Sequence, residues 1–162
     1  MINIPFFQRQ SPAPNLITSK LYNEDTFYES FIKDLKNCHS EVIIESPFVT
    51  NRRVSQLFGV LEKLKERKVR VTINTRDPEE HDSNYMRSEA REALSTLQNI
   101  GIHVMYTESH HRKLAIIDRR ISYEGSLNIL SQKNSKEIMR RIESSQLAWE
   151  LTRFVKFDET LS

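Results

Sequence analysis

The sequence contains a set of residue types, at fixed spacing, that could carry out chemistry on a phosphate group. It reads His111-x-Lys113, four residues, Asp118, six residues, and then Gly-Ser-x-Asn at 125–128. If each identity occurs by chance about once in twenty positions, a chain of this length contains all six by chance roughly once in a few hundred thousand cases. On a strand, positions i and i+2 share a face, so His111 and Lys113 are predicted to lie side by side with Arg112 facing away. A nucleophilic imidazole beside a phosphate-binding ammonium is the chemistry that this pair suggests.

These residues resemble the signature of the phospholipase D superfamily, whose members cleave phosphodiesters in lipids or nucleic acids. The resemblance in motif order extends from about residue 40 to residue 144. It implies that His111 attacks phosphorus to form a phosphohistidine, while Lys113 and Asn128 bind the non-bridging oxygens. Ser126 and the small Gly125 would let a hydroxyl and the backbone approach the same phosphate closely.

Two further carboxylates complete the candidate catalytic set. Glu137 occupies the place of a family carboxylate that orients the nucleophilic histidine and fixes its tautomer. Asp118 belongs to the motif, but its position at a strand end favours bracing the hairpin over proton transfer. The adjacent His110 and His111 suggest zinc binding as an alternative, yet neighbouring strand residues point to opposite faces and no thiolate pair accompanies them. No metal and no cofactor are therefore predicted.

The number of histidines in the motif has a consequence for assembly. Enzymes of this superfamily protonate the leaving oxygen with a second motif histidine, but the sequences around His39 and His103 lack the lysine. Related chains with one motif dimerise about a two-fold axis and combine two half-sites. We therefore expect a homodimer with one composite active site, in which the two His111 side chains titrate as a coupled pair.

Charge favours nucleic acid as the substrate. The whole chain has a formal charge of +2, whereas residues 110–141 contain eight basic and three acidic residues, a net charge of +5. Arg119-Arg120 and Arg140-Arg141 are predicted to bind a phosphate backbone, with one arginine of each pair facing the site. The function predicted is a metal-independent endonuclease or nucleic-acid phosphodiesterase, with DNA favoured. Segments 45–48, 124–131 and 137–142 also resemble phospholipase D-like modules that are found alone or appended to bacterial DNA helicases and restriction-type enzymes, which makes such a protein a candidate partner.

Two other functions stay open. A phospholipid phosphodiesterase would need a membrane-facing surface, for which residues 4–7 and the last helix are the only candidates. A non-cleaving module that binds DNA phosphates in a larger assembly would not need the imidazole of His111. The acidic loop 77–82 fits none of the three functions directly.

The elements that must position these residues follow from hydrophobic periodicity. Helical spacing begins at Asn23, Thr50 and the region before Gly101, and apolar strands are predicted at 41–46, 69–74 and 102–107. A hairpin (113–118 and 121–125), a strand near 137–142 and a closing helix follow. This rhythm predicts an α/β fold with a mixed, largely parallel sheet flanked by helices on both faces.

Length and composition limit the remaining possibilities. With 162 residues the chain has room for one domain, predicted at 16–162 after a proline-rich extended arm at 1–15. A single cysteine excludes an internal disulfide and is typical of a reducing compartment. Because no apolar run reaches the roughly 20 residues that span a bilayer, we expect a cytoplasmic protein without stable membrane association.

Overall fold

The structure is a computed structural model that describes residues 16–131 and 133–159, with side chains described for 18–131 and 133–156. The predicted arm at 1–15 lies outside the described residues. The strands are β1 Leu16–Asn23, β2 Glu41–Glu45, β3 Arg70–Thr75, β4 His103–Tyr106, β5 Leu114–Ile117, β6 Ile121–Gly125 and β7 Ile138–Ser144. The helices are α1 Phe27–Lys36, α2 Asn51–Glu66, α3 Asn84–Asn99 and α4 Ser145–Glu159, with a 3₁₀ turn at Pro78–Glu80.

Local capping explains where the helices begin. The hydroxyls of Thr50 and Ser83 each accept a hydrogen bond from the backbone N–H three residues on, so α2 and α3 start directly after them. The predicted start of α1 at Asn23 is wrong. The Asn23 side chain instead accepts from the backbone N–H of Thr26, 3.1 Å away, and forms a turn, and Thr26 is the residue that precedes the helix.

The sheet is mixed, but the prediction that it is largely parallel is wrong. The described strands lie in the order β1-β7-β6-β5-β2-β3-β4. Only β2–β3 and β3–β4 are parallel, and the other four pairs are antiparallel. The β2-α2-β3-α3-β4 half is parallel because each helix carries the chain back across the sheet. Among the described residues, no crossover helix connects the strands from β5 to β7, so these strands reverse direction. The strand β1, which the sequence analysis missed, adds an antiparallel edge.

Helices cover both faces of the sheet, as expected. The larger core lies between the sheet and α1, α2 and α3, and it buries alternate residues of the central strands such as Val42 and Ile44. The residue between them, Ile43, lies in a smaller core with Ala148 and Val155 of α4. This alternation is the two-residue period of a strand, and it explains why β2 is apolar on both sides.

The pairing of the strands brings several loops to one edge of the sheet. Glu45, the last residue of β2, is paired with Asn74 near the end of β3 and with Leu114 at the start of β5. The segment 107–113 before β5, the end of β6 and the start of β7 therefore meet at this edge. Among the described residues no helix combines the length and apolar character that a membrane span requires.

Candidate active site

His111 and Lys113 lie side by side at this edge. Lys113 Nζ is 3.1 Å from His111 Nδ1 and donates to the His111 backbone carbonyl at 2.8 Å. The His111 side chain is exposed, and Lys113 is half-buried. The two residues do not belong to a strand as predicted, because β5 begins only at Leu114. Burial lowers the pKa of Lys113, and the nearby Arg76 lowers it further, while the Glu137 carboxylate opposes both effects.

The Gly-Ser pair lies where β6 passes close to β7. A Cβ atom on Gly125 would lie 2.1 Å from the carbonyl oxygen of Ile138, so only glycine allows this approach. Ser126 donates its backbone N–H to the same carbonyl at 2.9 Å, and its Oγ accepts from the Ile138 N–H at 3.0 Å. The Ser126 hydroxyl also donates to Glu137. The motif therefore fixes the end of β6 against the start of β7.

The structure does not make the expected contact between Glu137 and His111. Ser126 and Ser135 donate to the two carboxylate oxygens of Glu137, the latter at 2.6 Å. The charge of Glu137 acts on Lys113, whose pKa it raises. The carboxylate is in the right region of the fold, but it is held by serines.

Two clefts lie next to the motif. One, of about 630 Å³, is lined by His111, Lys113, Gly125 and Arg140 together with apolar residues of α4. The other, of about 400 Å³, is lined by Asn128 and Glu137. The Asn128 Oδ1 atom is buried and has no hydrogen-bond partner among the described side chains and backbone. Asn128 lines the second cleft and not the first.

Of the four arginines predicted to bind substrate, the structure brings one to the cleft with His111. Arg140 lines that cleft and donates to the Ser19 hydroxyl at 2.9 Å. Arg141 points to the other face, where its guanidinium binds both oxygens of Asp34 at 2.7 and 3.1 Å. Arg119 and Arg120 are ion-paired with Glu41 and Glu143 at the far end of β5.

The length of β5 explains why Arg119 and Arg120 lie far from the cleft of His111. The turn that follows β5 lies five residues beyond Lys113, which corresponds to roughly 16 Å along an extended chain.

Asp118 occupies the same far end, with a positive φ of 52°. Its carboxylate accepts from the backbone N–H groups of His39, Ser40 and Glu41 at 2.9, 2.8 and 3.1 Å. Partial burial raises the pKa of Asp118, but these N–H groups outweigh it and hold the pKa well below its usual range. Asp118 therefore braces the hairpin against the start of β2, and it is remote from the imidazole of His111.

The adjacent histidines have opposite environments. The side chain of His110 is 1% exposed and its Nε2 lies 3.6 Å from the buried carboxylate of Glu45, whereas His111 faces the cleft. No group of three or more His, Cys, Asp or Glu side chains that could hold a metal ion occurs within the described ranges.

Sequence reasoning missed two charged residues near His111 and Lys113. Glu45 is fully buried and is bound by Arg112, and Arg76 lies against the His110 carbonyl, with Nη2 at 3.3 Å. Burial raises the pKa of Glu45, but the His110 and Arg112 side chains lower it by more. A glutamate that ends an apolar strand is the signal that could have found it, because a buried carboxylate needs a cationic partner.

Known protein families and solved structures share the family and the fold of this chain. Residues 31–158 match the family described as "Cardiolipin synthase, PLD-like domain". None of the curated proteins matches the sequence significantly.

Several solved structures share the fold. Nuc from Salmonella typhimurium, described as a phospholipase D family member, superimposes with a TM-score of 0.72 at 15% identity over 88% of this chain and 94% of Nuc. NucT from Helicobacter pylori gives 0.68 at 17% identity, over 88% and 96% of the two chains. The polyphosphate kinase from Porphyromonas gingivalis gives 0.69 at 13% identity over 88% of this chain, but only 26% of the kinase is covered. At these identities the likeness is one of fold.

Proposed function

The chain belongs to the phospholipase D-like family, and we propose that it is a metal-independent phosphodiesterase that cleaves nucleic acid through a phosphohistidine at His111. The observation that carries the proposal is the pairing of Lys113 with His111. The Nζ atom of Lys113 lies 3.1 Å from the Nδ1 atom of His111, beside an open cleft. An imidazole can attack phosphorus directly, so this chemistry needs no metal-activated water.

The reaction has two steps. In the first, His111 Nε2 attacks phosphorus, the bond to the leaving oxygen breaks, and that oxygen takes a proton from the imidazolium of a second His111. In the second, water attacks the phosphohistidine, gives its proton to that same imidazole, and the bond between phosphorus and nitrogen breaks. Lys113 binds the non-bridging oxygens, on which charge accumulates in both transition states, and the family resemblance assigns the Asn128 Nδ2 donor to the same oxygens from the neighbouring cleft.

The resting arrangement must change before the attack. An ammonium group only donates, so His111 Nδ1 accepts from Lys113, and the proton of a neutral imidazole is then on Nε2. This tautomer has no lone pair at Nε2 with which to attack. We expect a bound phosphate to draw Lys113 Nζ onto its own oxygens, which frees Nδ1 to carry the proton and Nε2 to act as the nucleophile.

A homodimer supplies the second histidine. The described residues contain one His-x-Lys pair, and the cleft beside it has an exposed apolar rim. Leu21, Ile138 and Phe154 line this cleft while they are 49%, 51% and 65% exposed. Large apolar side chains at such exposure favour burial against another surface. A second copy that covers the rim would bring its own His111 to the same phosphate.

The charge pattern favours nucleic acid over lipid. Lys113 and Arg140 line the cleft of His111 against one lining carboxylate, Glu124, which lies opposite Arg140 in the β6–β7 register. A phosphate backbone presents a row of anions to such a surface. A phospholipid is the second candidate substrate, supported by the apolar α4 side of the cleft, where Phe154 could lie against an acyl chain.

One assay separates these functions. The purified protein is incubated in excess EDTA with labelled single-stranded DNA, duplex DNA, RNA and phosphatidylcholine vesicles. We expect cleavage of nucleic acid at a rate that EDTA does not change. Cleavage of phosphatidylcholine alone would make the protein a lipid phosphodiesterase, and binding of DNA without cleavage would make it a binding module.

A further inference from the structure

The segment that carries the proposed nucleophile has no regular secondary structure. Residues 107–113 precede β5, and the ladder between β2 and β5 begins only at the pair Glu45 and Leu114. Backbone hydrogen bonds from the sheet reach this segment at its ends, from the Thr107 N–H to the Thr75 carbonyl at 3.0 Å and from the Gly125 N–H to the Lys113 carbonyl at 3.4 Å, but among the described residues none reaches His111 itself. Since a displacement of about 1 Å can cost about 10²-fold in rate, some other contact must hold this segment in place.

The carboxylate of Glu45 is the group that reaches it. Glu45 is fully buried at the end of β2. Arg112 donates to both of its oxygens, Nε at 2.6 Å and Nη2 at 2.8 Å. Asn74 donates Nδ2 at 3.1 Å, and His110 Nε2 lies 3.6 Å away. One carboxylate thus binds the residue after His111 through two hydrogen bonds, the bidentate geometry that best fixes orientation, and lies beside the residue before it, whose ring nitrogens have no hydrogen-bond partner among the described residues.

The side chains of this segment alternate although it is not a strand. His110 and Arg112 turn toward Glu45, while His111 and Lys113 turn toward the cleft, which Arg112 also lines in part. Anchoring the inward pair fixes the direction of the outward pair, because consecutive side chains share one backbone. The Arg76 guanidinium adds a second anchor through the His110 carbonyl.

We infer that Glu45 is a positioning residue, which holds Arg112 and thereby aims His111 and Lys113 at the phosphate. Its effect on rate rests on the proposed function, whereas its effect on the order of the segment does not. The charge is retained in a site where burial opposes it, since the Arg112 and His110 side chains keep the pKa of Glu45 lowered.

The same strand offers a matched control. Glu41, at the other end of β2, is also buried and also binds two arginines, Arg70 at 3.0 Å and Arg119 at 2.9 Å. Replacing either glutamate with glutamine removes a buried charge from one strand. Only Glu45 is next to the segment with His111 and Lys113, so a loss of stability is expected from both variants and a loss of catalysis from one.

The kinetic test compares Glu45→Gln with Glu41→Gln on bis(p-nitrophenyl) phosphate. We expect Glu45→Gln to lower kcat by about 10²-fold with KM changed by less than about twofold, because orientation is lost and binding is not. Glu41→Gln should keep the wild-type kcat. Wild-type kcat in folded Glu45→Gln would overturn the inference, and so would an equal loss of kcat in both variants. If Glu45→Gln does not fold, Glu45→Asp keeps the charge with a shorter reach, and unchanged kcat in that variant would have the same meaning.

The second readout needs no activity. Backbone ¹⁵N order parameters of residues 110–113 should be close to the value of about 0.85 for rigid backbone in the wild type, and should fall below about 0.6 in Glu45→Gln but not in Glu41→Gln. A mobile segment in the wild-type protein overturns the inference even if no variant folds. A rigid wild-type segment in a protein that cleaves no phosphodiester would instead refute the proposed function and leave the positioning role in place.

Discussion

Asp118→Asn distinguishes a bracing carboxylate from a catalytic one. Oδ2 accepts from the His39 N–H at 2.9 Å, and Oδ1 accepts from the N–H groups of Ser40 and Glu41 at 2.8 and 3.1 Å. Asparagine has one acceptor oxygen, so at least one of these charge-assisted bonds is lost and an amide N–H faces a backbone N–H. A hydrogen bond to a charged group contributes about 1.5–3 kcal/mol, and because the loop is partly exposed we expect a loss of about 2 kcal/mol. For a chain of this size that corresponds to a fall in Tm of roughly 4–8 °C.

The pH dependence of this difference has a definite sign. The folded-state pKa of Asp118 lies below its unfolded value, so the carboxylate stabilises the protein fully above the unfolded pKa near 4 and loses this effect as the pH falls through the folded pKa. The gap in Tm between wild type and Asp118→Asn should be constant from about pH 5 to 8 and should narrow below about pH 4. Thermal unfolding followed by circular dichroism measures it.

The control for this experiment is Asp82→Asn, because Asp82 is exposed and lies outside the network. That variant should unfold at the wild-type temperature. Folded Asp118→Asn should keep its kcat, since the carboxylate is roughly a strand length from His111. A variant with wild-type Tm and a kcat as low as that of His111→Ala would show that Asp118 is a catalytic residue.

Four further predictions concern the two clefts and the composite site. His111→Ala should abolish both activity and the acid-labile phosphohistidine, and activity that EDTA removes and magnesium restores would refute the mechanism. Lys113→Ala and Asn128→Ala should each lower kcat by about 10²- to 10³-fold with Tm near that of the wild type, whereas unfolding with full residual activity would make them structural. A fourfold excess of His111→Ala over wild type should reduce activity per wild-type chain about fivefold once subunits exchange, because about one partner in five is then intact. An activity per wild-type chain that stays constant would exclude the composite site. Arg140→Ala should raise KM for DNA and reduce the salt dependence of binding by about one phosphate contact, and Arg70→Ala, which lies at the far end of the sheet, should change neither.

The sequence alone was enough to identify the family and the residues of its motif. The spacing from His111 to Asn128 is local, and it is set by one hairpin and the loop that follows, so it can be read without knowledge of the fold. The β-α-β rhythm up to β4 was also predictable, because periodicities of two and 3.6 residues are properties of single elements. The antiparallel edge formed by β1 was not predictable, since β1 pairs with β7, which lies more than 100 residues away in the chain.

Tertiary structure decided which charged residues serve the site. Arg140 and Arg141 are equivalent in the sequence, but the register of β7 turns one to the cleft and the other to Asp34. Glu137 is near His111 and Lys113, yet its two carboxylate oxygens accept hydrogen bonds from Ser126 and Ser135.

Glu45 is the clearest case. It is 67 residues from Arg112, and nothing local connects them. Their contact exists because β2 lies between β3 and β5 in the sheet, which places the end of β2 directly under the segment that carries His111. Residue types and short spacings therefore predicted the chemistry, whereas the orientation of the reacting groups depends on contacts between distant segments that only the folded chain brings together.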